Sequence, residues 1–269
     1  MATRARRSSV SLRLEAAFAA AVISLVAMGP QGASAQAVNY VNDRPVTIID
    51  SVGQPSLQSI VDAEFGAGWG LTASDQSVRG VFKTSTASGT GFETIIGQYG
   101  GAAASSYKFG IWFGSDASNL LHRDLFLGAA PVGYSLPIKI TQGQLKIFPE
   151  DMADCGVRIQ CGTLNNVAVD PKQFGFYFEN GGVRRYTADS LNPASESSVL
   201  SFAKPGTSDW VLAYEDGLPT DGKDFNDYVI SVASVAAVPE PAEWLMLSSG
   251  VALLAGLSRR RRSQGAQSA

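Results

Sequence analysis

Trp210-Val-Leu-Ala-Tyr214 and Tyr228-Val-Ile-Ser-Val232, with Glu215-Asp-Gly-Leu-Pro-Thr-Asp-Gly-Lys-Asp-Phe-Asn-Asp227 between them, read as two β-strands joined by an acidic turn. Aromatic and β-branched residues fill the two runs, while Gly, Pro and Asp fill the link. The same pattern recurs through residues 38–236. Apolar runs at 46–49, 77–83, 94–98, 107–113, 124–128, 138–140, 144–148, 173–179, 199–202 and 228–235 alternate with turn residues at about ten-residue spacing. One segment departs from it. Ser56 precedes Leu57, Ile60, Val61 and Phe65, an N-cap followed by helical spacing. The predicted body is mainly β, an antiparallel sandwich of jelly-roll type with one short helix. A doubly wound fold would need regular helices between strands, and no repeat of roughly 20–50 residues supports a propeller or solenoid.

The chain has 269 residues, 45% of them hydrophobic and 17% charged, enough for one large domain or two small ones. Its formal charge of −3 hides an uneven distribution. Arg4, Arg6, Arg7 and Arg13 lie at one end, and Arg259, Arg260, Arg261 and Arg262 at the other. Between residues 38 and 238 only 13 Lys and Arg face 21 Asp and Glu. An acidic body excludes nucleic acid as an expected partner and suits cations or neutral surfaces.

The ends read as addresses. Four Arg precede an apolar run from Ala16 to Met28, Gly29-Pro30 ends it, and Ala33-Ser34-Ala35 follows. A basic start, a short apolar stretch and an A-x-A site form a secretory signal peptide over 1–37. Signal peptidase is expected to cut after Ala35, with Ala37 as the alternative. As a helix the run rises only about 20 Å, short of a roughly 30 Å hydrocarbon layer. At the other end, residues 237–269 carry Pro239-Glu240-Pro241, an apolar stretch over 244–257 and the Arg259–262 cluster. The arginines would stay cytoplasmic by the positive-inside rule, which leaves the body outside. This tail resembles the PEP-CTERM sorting signal of Gram-negative bacteria. The resemblance implies processing by exosortase near Pro239-Glu240-Pro241 and transient anchorage in the inner membrane. It also implies a final place on the outer surface or in the extracellular matrix, with exopolysaccharide and biofilm. The extension over residues 263–269 departs from that pattern, in which chains stop soon after the arginines.

Cys155 and Cys161 are the two cysteines and enclose five residues within a Gly-containing loop. In an exported chain they are expected to form a disulfide. The spacing fits neither a C-x-x-C redox pair nor a four-ligand zinc site.

The acidic turn is the one constellation suited to chemistry. Glu215, Asp216, Asp221, Asp224, Asn226 and Asp227 fall within thirteen positions, offset only by Lys223. So many carboxylates in one turn repel one another unless water or a cation screens them. Calcium takes six to eight oxygen ligands, and Asp, Asn and Gly supply such a loop. EF-hand spacing is absent, because Lys223 and Phe225 stand where ligands should follow Asp221. A solvated hairpin is the alternative. Tyr214-Glu-Asp216 and Gly222-Lys-Asp-Phe-Asn-Asp227 resemble the signature of a C-terminal domain of unknown function common in secreted bacterial proteins. Phe109-Gly-Ile-Trp112 and Phe174-Gly-Phe-Tyr177 look similar to the same family. The resemblance implies a β-rich exported domain, with calcium as a ligand and no catalysis.

An enzyme finds little support. His122 is the single histidine, flanked by Arg123, and reads as a surface or turn residue. No nucleophile elbow is present. Two carboxylates would suffice for glycoside chemistry, but nothing in their spacing pairs Glu64, Glu93, Glu150 and Glu179. Trp69, Tyr99, Tyr107, Trp112 and Tyr134 could offer faces to sugars, although aromatics in strands usually fill cores. The expectation is a non-enzymatic surface or matrix protein. A carbohydrate-active enzyme or glycan-binding module acting on exopolysaccharide is the alternative.

Overall fold

The computed structural model describes residues 38–39, 41–67, 69–85, 90–98, 105–128, 130–141, 143–161, 167–216 and 223–238. Ala33 and Ala35 of the leader, Asp221, and the tail with Pro239, Glu240, Pro241 and Arg259–262 lie outside them. Among the described residues no helix is long and apolar enough to cross a membrane.

In chain order the elements begin with α1 (Leu57–Phe65), β1 (Phe82–Thr84), β2 (Thr90–Gln98), β3 (Lys108–Phe113), β4 (Leu121–Leu127), β5 (Ser135–Thr141) and β6 (Gln144–Ile147). They continue with β7 (Val167–Ala168), β8 (Phe174–Asn180), β9 (Val183–Tyr186), β10 (Val199–Ala203), β11 (Trp210–Tyr214), β12 (Tyr228–Val232) and β13 (Val235–Ala237). Two antiparallel sheets result. One runs β13-β1-β8-β3-β4, with β9 also paired to β8, and the other β10-β11-β12-β2-β5-β6-β7. The mainly β expectation holds, with the sheets packed as a sandwich.

Strand alternation explains why the sequence runs look uniformly apolar. Leu212 and Tyr214 of β11 join Phe109, Phe176, Phe178 and Ile230 in the core between the sheets. Val211 and Ala213 belong to a second cluster, with Leu57, Ile60 and Val61 of α1. Both faces of β11 are covered, so neither is polar. Nine residues are too few for a helix to persist alone in water, so packing on the sheet sustains α1. Ser56 caps it as expected, accepting from Ser59 N at 3.2 Å, and Gly66, with φ of +84°, ends it.

The outer face of the six-stranded sheet holds a reciprocal pair. Gly110 lies opposite Tyr177, and Trp112 opposite Gly175. Each glycine leaves room for the ring on the neighbouring strand, which is why the two aromatic-Gly-aromatic motifs occur together. Trp112 and Tyr177 form a third cluster with Val38 and Ala188, and Val238 packs against it.

Several expectations are corrected. Residues 46–49 form no strand. Val46 N donates to Gln76 Oε1 at 2.8 Å and Gln76 Nε2 returns a bond to Val46 O at 2.7 Å, so a side chain replaces the ladder. The run at 228–235 splits at Ser234, whose φ is +62°. β12 enters one sheet and β13 the other. β4 begins at Leu121 rather than Asp124, so His122 is a half-buried strand residue, with Nε2 3.0 Å from Tyr186 Oη. Burial, then the nearby Arg184 charge, lowers its pKa. Cys155 and Cys161 form the expected disulfide, with Cα atoms 5.1 Å apart.

Glu93 on β2 is 1% exposed, and its Oε2 has no hydrogen-bond partner. Burial raises its pKa well above the carboxylate range. The folded state therefore binds this proton more tightly than the unfolded chain does. The resulting stability is complete below the unfolded pKa of about 4.3 and is lost as pH rises through the higher folded value. Glu93→Gln, with the same shape and no charge, is expected to flatten the fall in stability between acidic and mildly alkaline pH. Urea unfolding of both proteins across that range tests it, and an unchanged pH slope would refute it.

Candidate metal centre

β11 and β12 pair in register from Trp210↔Val232 to Tyr214↔Tyr228. Residues just after Tyr214 and just before Tyr228 therefore meet at one end of the hairpin. Asp216 N donates to Asp227 Oδ2 at 2.7 Å, and Glu215 N to Ser198 O at 3.0 Å. On the returning side, Phe225 takes a left-handed φ of +53° and places its N–H 3.4 Å from Glu215 Oε2. Asn226 N donates to Asp224 Oδ1 at 3.3 Å.

This backbone gathers Glu215, Asp224 and Asp227, each offering a carboxylate oxygen within 4.8 Å of the others. The site is closed to solvent: Glu215 is 6% exposed, while Asp224, Asn226 and Asp227 are fully buried. Glu215 Oε1, Asp224 Oδ2, Asn226 Oδ1 and Asp227 Oδ1 have no hydrogen-bond partner. An unmatched buried polar atom costs about 1–3 kcal/mol, more when charged, so this group calls for a cation or for a proton held between carboxylates. Burial, then Asp227, pushes the Glu215 carboxyl far above its ordinary range. Burial raises Asp227 as well, against the Asp216 N–H that favours its charged form. Without a cation, the pair relieves its repulsion by holding a proton.

The described residues of the acidic turn divide. Glu215, Asp224 and Asp227 come together, and Asn226 lies in sequence between two of them. Asp216 takes a different role: its Oδ2 accepts from Tyr107 Oη at 3.0 Å and Asn180 Nδ2 at 3.3 Å. Lys223 is exposed and contributes its carbonyl, which accepts from Ile49 N at 2.9 Å.

No family model, curated protein or solved structure matches this chain.

The cluster's donors are all oxygen, as hard cations prefer, and it includes neither the histidine nor a cysteine. Asp224 and Asp227 are fully buried and present no surface to solvent. Elsewhere Glu179 is held by Lys108 Nζ and Arg184 Nε, each at 2.8 Å. Glu64 and Glu150 are exposed. Trp112 and Tyr107 are core residues, 0% and 1% exposed, and present no face to a sugar. Trp69 is partly buried, edge-on to Phe65, and Tyr134 donates to Asp154 Oδ2 at 2.7 Å. Tyr99 lies outside the described residues.

Sequence reasoning missed Pro55, whose carbonyl accepts from Asn226 Nδ2 at 2.8 Å across 171 positions. A proline just before the Ser56 cap marks a helix start, but nothing local shows what its carbonyl meets.

Proposed function

We propose that this chain is an exported, non-enzymatic cell-surface or extracellular-matrix protein that binds calcium through Glu215, Asp224, Asn226 and Asp227. One observation carries the cation: three buried carboxylates meet within 4.8 Å at one hairpin end, and Asp224 Oδ2 and Asn226 Oδ1 stay without a partner even when Glu215 and Asp227 share a proton. Calcium fits better than a transition metal because the donors are hard oxygens and their charge is high. Those residues would supply four ligands, with water or backbone oxygens completing the shell. The bound ion neutralises the carboxylates and ties the end of β11 to the start of β12.

The address supports the same reading. A leader with Ala33 and Ala35, a tail with Pro239, Glu240, Pro241 and Arg259–262, and a disulfide suited to an oxidising compartment all favour export. The route runs through signal peptidase and exosortase at the inner membrane to the outer surface or matrix, with exopolysaccharide as the associated polymer. Deleting residues 239–269 is expected to disturb surface retention. Cell fractionation tests this, and unchanged retention would remove sorting from the reading.

For the cation, the full-length protein is melted in EGTA and in millimolar calcium. A tenfold excess over Kd stabilises by about 1.4 kcal/mol, a shift of a few degrees. Asp224→Asn and Asp227→Asn are expected to lose that response while melting in EGTA at or above the parent's temperature, because each removes a buried like charge. A parent melt unmoved by calcium would leave the cluster as a proton-sharing carboxyl group.

A further inference from the structure

We propose that the ion at this site also clasps α1 to the seven-stranded sheet, so that losing it frees the helix before the sandwich opens. The inference rests on the cation reading above. Asp224-Phe225-Asn226 faces two ways. Asp224 joins the carboxylate cluster, while Phe225 is fully buried in the apolar cluster of Leu57, Ile60 and Val61. Asn226 joins the turn to the arm before the helix: its Nδ2 holds Pro55 O at 2.8 Å, directly before the Ser56 cap, and its buried Oδ1 stays unpartnered. Ile49 N, on the arm leading to the helix, bonds Lys223 O of the same turn.

Phe225 keeps its left-handed backbone only while its neighbours are fixed, because a bulky residue gains nothing from φ of +53°. Its neighbours are Asp224 and Asn226, whose buried oxygens are satisfied by the ion. Removing the ion releases those oxygens to seek water, which loosens Phe225 and, with it, one wall of the helix seat. The polar contacts of Gln58 are local, with Trp69 O and Leu71 N at 2.8 and 3.0 Å, and would travel with the helix. Beyond Phe225, the helix rests on the sheet through apolar contacts, with Leu200, Phe202, Val211, Ala213 and Val229 in its cluster. The core between the sheets uses the opposite strand faces and needs none of the three turn residues.

Hydrogen exchange on the full-length protein tests the clasp, with calcium chloride titrated against EGTA. Amides of α1 are followed beside those of Ile111 and Phe176, which lie in the inter-sheet core. If undocking destroys the site, its equilibrium constant falls by one plus the ratio of calcium to Kd. Protection of α1 then rises with calcium at a logarithmic slope of about one, reaching about 100-fold at a hundredfold excess. It should remain below that of Ile111 and Phe176. A flat α1 profile, or exchange in step with those core amides, overturns the clasp. Asn226→Asp keeps an oxygen for the ion but cannot donate to Pro55 O. Its calcium melt shift should persist while α1 protection falls, and parent-level protection would also overturn the proposal. The two failures are distinguishable. A melt unmoved by calcium sinks the cation reading and the clasp together, whereas a responsive melt with indifferent α1 amides sinks the clasp alone.

Discussion

Gly175→Ala is expected to destabilise the protein by about 3 kcal/mol or more, at the upper end of overpacking costs. An added Cβ would stand 2.5 Å from the Trp112 indole, and the ring has nowhere to retreat. Trp112 is fully buried, with Val38, Val81 and Ala188 in its cluster. Expelling it would open that cluster, and keeping it would push β8 from β3 along their shared ladder. Gly110→Ala should behave similarly, since its Cβ would overlap the Tyr177 ring and approach Arg123 O at 2.5 Å. Urea unfolding checks the size of the effect. Gly70→Ala, whose Cβ would meet its nearest neighbour at an ordinary 3.7 Å, should change little by comparison. Trp112→Leu in the Gly175→Ala background should recover part of the loss. A Gly175→Ala protein within about 1 kcal/mol of the parent would show that the pairing is not a steric requirement.

Arg44→Ala is expected to cost about 3–5 kcal/mol, the usual penalty for stripping one partner from a buried ion pair. Arg44 NH1 lies 2.6 Å from Asp189 Oδ2, and the side chains are 2% and 6% exposed. The guanidinium also donates to Ser197 Oγ and Val199 O, both at 2.7 Å. Without it Asp189 remains a buried charge, supported by Ser197 Oγ at 2.6 Å. Arg44→Met combined with Asp189→Asn removes both charges and should be more stable than Arg44→Ala. A double-mutant cycle measures that coupling, and additive losses would contradict it. The Lys108–Glu179 pair gives the contrast. Its lysine is 39% exposed, which places its contribution nearer 0–1 kcal/mol.

The architecture was legible where an element's own residues decide its pattern. β11 matches the run Trp210–Tyr214, and Ser56 with Leu57, Ile60 and Val61 marks α1 because cap and stripe are both local. Segments whose partners lie far away were not legible. Val46 reads as strand, yet Gln76 meets its backbone, and a glutamine carries no signal of that use. β9, Val-Arg-Arg-Tyr, is a polar strand that, among the described residues, pairs with β8 alone, so its composition resembles a loop. At the candidate site the sequence supplied the residue types but not their sorting. Asp216 and Asp224 are equivalent as letters. The left-handed turn at Phe225 and the hydroxyl of Tyr107 determine which carboxylate joins the cluster.

Val38 and Val238 share the apolar patch around Trp112, one bonded to Ser115 O and the other to Val81 O. The chain thus enters and leaves its β body through one doorway. A body with adjacent ends can be spliced into a host loop, or reopened elsewhere and rejoined there by a short linker, without redrawing its sheets.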